Sequence, residues 1–168
     1  MRQITKVGIV LIGLITGLCL WWAVTEGPLR SPQDALNDFY AVSDRAEDQL
    51  MDPLILNGRR VVPYIIQEIR NKDMKLRRYA IGFLGNGRYI EAIPVLEQIL
   101  ADESEIWYFR SDALESIYQI APIRARELAA KHIDGPELLG RVSREITSGQ
   151  HPVYWSRTYL QAFLHVHE

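Results

Sequence analysis

Val61-Val62-Pro63-Tyr64-Ile65-Ile66-Gln67-Glu68-Ile69 and Ala92-Ile93-Pro94-Val95-Leu96-Glu97-Gln98-Ile99-Leu100 are one phrase written twice, 31 residues apart. A second phrase follows each copy. Leu76-Arg77-Arg78-Tyr79-Ala80-Ile81-Gly82-Phe83-Leu84 aligns with Phe109-Arg110-Ser111-Asp112-Ala113-Leu114-Glu115-Ser116-Ile117 at an offset of 33. The slip of two falls in the polar turn between the phrases, Asn71-Lys72-Asp73 in one copy and Ala101 to Glu105 in the other. Each unit reads as helix, turn, helix. Pro63 and Pro94 place helix starts or bends nearby, because a proline deep inside a helix costs about 3 kcal/mol. Ala80 and Ala113 are small where two helices must approach. Leu76 and Leu84, like Phe109 and Ile117, share a face with them. Gly85-Asn86-Gly87 divides the units, glycine suiting the left-handed residue after a helix end. A unit this short cannot bury its own apolar face and needs neighbours on both sides.

Those neighbours are legible. Ser31 caps a helix, Pro32 opens it, and Asp34 completes a near capping box. Leu36, Phe39, Val42, Ala46 and Leu50 continue it at helical spacing to residue 50. Asp52-Pro53 ends that helix and starts the next. After Pro122, Ile123 to Ile133 reads as a third first-helix. Asp134-Gly135-Pro136 breaks it, and Leu138, Leu139, Val142 and Ile146 form the face of its partner. Ser148-Gly149 breaks the chain again, and Pro152 to Val166 reads as a last helix that closes the end, with Tyr154 and Trp155 in its core. The expected fold class is all-α.

The repeated unit resembles the short HEAT-like repeats, antiparallel helix pairs that stack into a curved solenoid. The matching residues are Val62-Pro63-Tyr64-Ile65 and Ile93-Pro94-Val95-Leu96 in the first helices. In the second helices they are Leu76-Arg77-Arg78-Tyr79-Ala80 through Leu84-Gly85, and Phe109-Arg110-Ser111-Asp112-Ala113 through Ile117. The clear repeats cover residues 52–121, with flanking helices over 31–50 and 122–166 inside a helical-repeat domain of 31–168. Tyr118 stands where the first unit has Gly85, and this departs from the pattern. Arg77 and Arg110 are equivalent, each after an acidic turn. They read either as a basic stripe for an acidic partner or as a ladder tying one repeat to the next, as HEAT-like families often show; the ladder is preferred.

Before the domain, Val7 to Val24 is a stretch without charge, VGIVLIGLITGLCLWWAV. As a helix it would span roughly 27 Å, close to a bilayer's hydrocarbon thickness. Arg2 and Lys6 precede it, and Glu26 is the first charge after it. The expectation is a cytoplasmic tail over 1–6, a transmembrane anchor over 7–24 and a linker over 25–30. The expected location is a bacterial inner membrane, single-pass, with the domain facing the periplasm. A cleaved signal peptide is the rival reading, which the length of the apolar run disfavours. Gly13 and Gly17 form G-x-x-x-G, a strip on which another transmembrane helix could pack.

Nineteen Lys plus Arg against 21 Asp plus Glu give a formal charge of -2, which is not the basic balance of a nucleic-acid binder. A single cysteine, Cys19, excludes an internal disulfide framework and a cysteine-cluster zinc site. His132, His151, His165 and His167 form no metal-ligand spacing, and no catalytic motif is present. The expectation is no enzyme, no cofactor, no metal and no small-molecule substrate. The leading function is a membrane-anchored adaptor that presents a HEAT-like surface to a protein partner, a membrane complex. The alternatives are an accessory subunit bound mainly through its transmembrane helix, and a HEAT-like lyase-type enzyme. In stacked helix pairs the second helices line the concave side. Arg78, Trp107, Tyr108, Ser111, Asp112 and Glu115 are therefore the expected contact residues.

Overall fold

Pro32, Pro53, Pro63, Pro94 and Pro122 each stand in the first two positions of a helix. There the missing N–H is one that a helix leaves unpaired anyway. The computed structural model describes residues 12–22, 30–41, 46–152 and 158–166. Among these it contains ten α-helices and no strand. They are α1 (12–22), α2 (Pro32–Ala41), α3 (Asp52–Asn57), α4 (Val62–Glu68), α5 (Arg77–Asn86), α6 (Ile93–Ala101), α7 (Trp107–Ile120), α8 (Pro122–Ala129), α9 (Glu137–Ser148) and α10 (Tyr159–Val166).

Helices α4 and α5, α6 and α7, and α8 and α9 follow one another as pairs. The second members lie side by side, α5 against α7 and α7 against α9, and α7 also packs on α6 and α8. This arrangement is compatible with a helical repeat. The expected core faces are buried: Ala80 and Leu84 on α5, Ala113 and Ile117 on α7, Leu139, Val142 and Ile146 on α9. Fully burying one such large side chain contributes about 1.5–3 kcal/mol. Helix α2 buries Ala35, Leu36 and Phe39 and packs on α3. At its start the Asp34 N–H donates to Ser31 Oγ (3.1 Å), the N-cap bond that the spacing implied, and the Ser31 hydroxyl, rather than its backbone N–H, donates to the Asp34 carboxylate (2.6 Å).

Five expectations are corrected. First, the transmembrane helix over Val7 to Val24 is not supported. Its described part is helical over 12–22, about 17 Å long at 1.5 Å per residue against roughly 30 Å of hydrocarbon. No helix among the described residues is long and apolar enough to cross a membrane. Residues 1–11 and 23–29 lie outside the described residues. Second, the expected helix does not run unbroken to residue 50: α2 is described to Ala41, residues 42–45 lie outside the described residues, Ala46 is not helical and Glu47–Gln49 form a 3-10 turn. The Lys75 ammonium donates to the Tyr40 carbonyl (2.6 Å).

Third, Gly85 is not a left-handed cap but lies inside α5, where a Cβ would sit 2.7 Å from Ser116 Cα on α7. It is glycine because two backbones meet there. The left-handed residue after α5 is Arg88 (φ 51). Fourth, the third first-helix ends at Ala129, so His132 sits in the turn beyond it rather than in a last helical turn. Fifth, α10 packs on α3, next to the first unit, instead of closing the far end. Tyr154 and Trp155 lie outside the described residues.

Candidate partner-binding surface

The surface starts from a pair of arginines in equivalent places. Arg77 Nε donates to the Ile69 carbonyl (2.8 Å), and Arg110 Nε donates to the Leu100 carbonyl (2.9 Å). Ile69 and Leu100 are the last residues of the repeated first phrase. Each arginine thus ties the end of a first helix to the start of its partner, where helix carbonyls lack intrahelical donors. Arg77 reaches further. Its Nη1 meets the Glu105 carboxylate at 2.6 Å, with both side chains almost wholly buried, and its guanidinium lies 4.8 Å from the Phe109 ring centre. The ladder is therefore present at this junction, and Arg77 is not a surface residue.

On the exposed side of α5, Arg78 extends over α7 and pairs with Asp112 at 3.1 Å. Arg78 is more than half exposed, whereas the Asp112 side chain is 10% exposed. Burial pushes the Asp112 carboxyl up to about 6; Arg78 opposes the rise and Glu115 reinforces it. Burial also raises Glu115, against the attraction of His151, Arg78 and Arg141 and with the repulsion of Glu145. Three carboxyl groups from α7 and α9 thus share one neighbourhood with two guanidinium groups. His151 reaches this group because Gly149 (φ +75) reverses the chain after α9. The N–H groups of Gln150 and His151 then both donate to the Glu145 carbonyl. The His151 ring is buried, 3.1 Å from the Glu145 carboxylate and edge-on to Tyr118 at 5.4 Å. Sequence spacing did not mark Glu145 or His151, since the packing of α9 on α7 brings in the first and the turn at Gly149 the second.

At the start of α7, Trp107 and Tyr108 meet edge-on at 5.6 Å, and Tyr108 lies 4.4 Å from Phe109. All three are half-buried. Of the six expected contact residues, Arg78 is exposed, Trp107, Tyr108 and Glu115 are half-buried, and Ser111 and Asp112 are buried. The Ser111 hydroxyl donates to the Trp107 carbonyl of its own helix. The four residues that retain exposure lie at the start of α5 and along α7 from its first turn to Glu115.

The remaining candidates lie elsewhere. Gly13 and Gly17 are in α1, and a Cβ on either would meet nothing within 4 Å. Cys19 is exposed there. His132 is half-buried, and burial, with Arg110 and Lys131 nearby, lowers its pKa. It is thereby held toward the neutral form. The His165 side chain and His167 lie outside the described residues. Among the described residues no group of three or more His, Cys, Asp or Glu side chains is placed to hold a metal. No protein-family model, curated protein or solved structure matches the chain.

Proposed function

We propose that this chain is a non-enzymatic adaptor built on HEAT-like helix pairs, which binds a protein partner across the row of second helices α5, α7 and α9. The observation that carries this reading is that the row of second helices presents an exposed arginine, Arg78, paired with Asp112 from α5 to α7, and keeps Trp107 and Tyr108 partly exposed in the first turn of α7. Arginine and tryptophan dominate interface energies because each covers a large area and makes directional contacts. The partially neutralised carboxyl group cluster behind them favours a partner segment of mixed charge over a polyanion.

The experiment is photo-crosslinking in the native cell, with a benzophenone amino acid placed at Arg78, at Trp107 or at Tyr64 on α4. Crosslinks to one defined protein from positions 78 and 107, and not from 64, are expected. Arg78→Ala and Trp107→Ala should then each weaken recovery of that protein by about thirtyfold. Arg78→Ala takes the cation from the buried Asp112, so Arg78→Lys, which keeps the charge but not the guanidinium fork, is the fold control: its unfolding midpoint should stay near the parent's while recovery falls. Equal crosslinking from all three positions would refute the docking face.

A further inference from the structure

A cleft of about 210 Å³ lies between α3, the C-terminal end of α5 and the first turn of α10. Three rings line it, Phe83, Tyr89 and Tyr159, and Met51 and Ile55 supply its aliphatic wall. Phe83 and Tyr89 stand 5.2 Å apart at 45°. Gly87 belongs to the lining as bare backbone, since a Cβ there would fall 2.1 Å from the Tyr89 ring. The polar side chain of the lining other than the two phenols is Asn86. Its amide nitrogen contacts Met51 Sδ at 3.9 Å, and a thioether is a weak acceptor. The amide group therefore faces an apolar, sulfur-bearing wall with most of its hydrogen-bonding capacity unused.

Among the described residues no charged side chain lines the cleft. The Arg59 guanidinium already lies 5.5 Å from the Tyr89 ring centre, which disfavours a second cation against that ring. The volume is below that of sites for drug-sized ligands and suits one ring system. Aromatic and sulfur walls favour a flat π surface. We infer that the cleft receives a neutral aromatic ring bearing one N–H or O–H, which donates to the Asn86 carbonyl oxygen. That is the chemistry of indole and phenol, met as free small molecules or as tryptophan and tyrosine side chains of a polypeptide. The cleft is independent of the adaptor face, because it sits at the opposite end of α5 from Arg78.

The test is ligand-observed NMR on the full chain with indole, N-acetyltryptophanamide and toluene as probes. A single ring in a site of this size is expected to bind indole with a Kd of about 1 mM. Binding of N-acetyltryptophanamide as well assigns the cleft to a side chain presented by a polypeptide; binding of indole alone assigns it to a small molecule. Asn86→Ala should weaken indole roughly two- to tenfold and leave toluene unchanged. Tyr159→Ala should weaken all probes that bind. Tyr159 is 42% exposed at the first residue of α10, so the variant retains the fold, which the unfolding midpoint checks. Absence of indole binding up to about 10 mM, ten times the expected Kd, overturns the inference. So does indole binding that neither variant changes, or equal loss of indole and toluene in Asn86→Ala.

Discussion

The junction between the first and second helix pairs differs from the junction between the second and third. At the first, charges interlock through its whole depth. Arg77 and Glu105 pair in the interior, Arg78 and Asp112 pair on the second-helix side, and Arg59 with Glu91 and Lys72 with Asp102 pair on the outside. At the second, Arg124 grips Glu97 with two bonds on the surface, and the interior is joined by Tyr118 and His151. The difference follows from one position. Glu105 stands two residues before α7, whereas Gly135 stands two residues before α9. Arg110 therefore keeps its bond to the Leu100 carbonyl but finds His132 as its neighbour instead of a carboxylate. An arginine repeated in sequence becomes a ladder only where the next turn answers it.

The largest expected effect breaks that contrast directly. Arg77→Ala leaves Glu105 buried without its cation and should cost about 3–5 kcal/mol in urea unfolding. Arg110→Ala loses one charge-assisted bond to a carbonyl and should cost about 2 kcal/mol. Equal losses would show that the Glu105 pair adds nothing. Replacing both partners, Arg77→Met with Glu105→Leu, should cost much less than Arg77→Ala alone.

A smaller effect concerns how closely the pairs approach. Gly85→Ala gains about 1 kcal/mol of helix propensity but pushes a methyl group into the Ser116 backbone. Overpacking of this kind costs about 1–3 kcal/mol, so a net loss is expected. Ser116→Gly in the same chain removes the crowding Cβ and Oγ and should return part of it. A gain in Gly85→Ala alone would mean that the first junction is looser than the geometry states.

The smallest effect is a pH slope. The folded Asp112 carboxyl titrates near 6, above its ordinary 3.8, so the folded chain holds a proton that the unfolded chain has released. Stability from this group is complete below about 3.8 and is lost as pH rises through 6. Going from pH 7 to pH 5 should therefore add about 1 kcal/mol, and Glu115, also raised, acts in the same direction. Glu97 and Asp102, held low by Arg124 and Lys72, pull the other way only at more acid pH. Urea midpoints of the parent and Asp112→Asn at the two pH values check this. A slope that survives in Asp112→Asn assigns it elsewhere.

What the sequence made legible was local. Prolines and apolar spacing encode where α4, α5, α6 and α7 run. The equivalence of Arg77 and Arg110 emerged because their bonds reach back only about ten residues. The burial of Ser111 and Asp112 was not legible. Positions opposite one apolar face look free on an isolated helix, but α7 is flanked by α5, α6, α8 and α9 and has little open side. The span over Val7 to Val24 was read from apolar composition, which measures what a helix tolerates around it; among the described residues no helix has both the length and the apolarity to cross a membrane. The cleft was illegible for a different reason: Met51, Phe83 and Tyr159 come from three helical regions with no spacing in common.

The packing of α10 on α3 joins segments about a hundred residues apart, and Trp22 meets Phe163 edge-on at 5.5 Å beside it. Helix pairs close quickly because their contacts are near in sequence, while a contact of this separation has to wait. On the ribosome the wait is enforced. Pro32–Ala41 and Asp52–Asn57 are made about a hundred residues before Tyr159–Val166, so α2 and α3 can meet before α10 arrives. The flank bearing Met51 and Ile55 is thus the last surface to be covered, and a chaperone that reads apolar side chains has that interval in which to hold it.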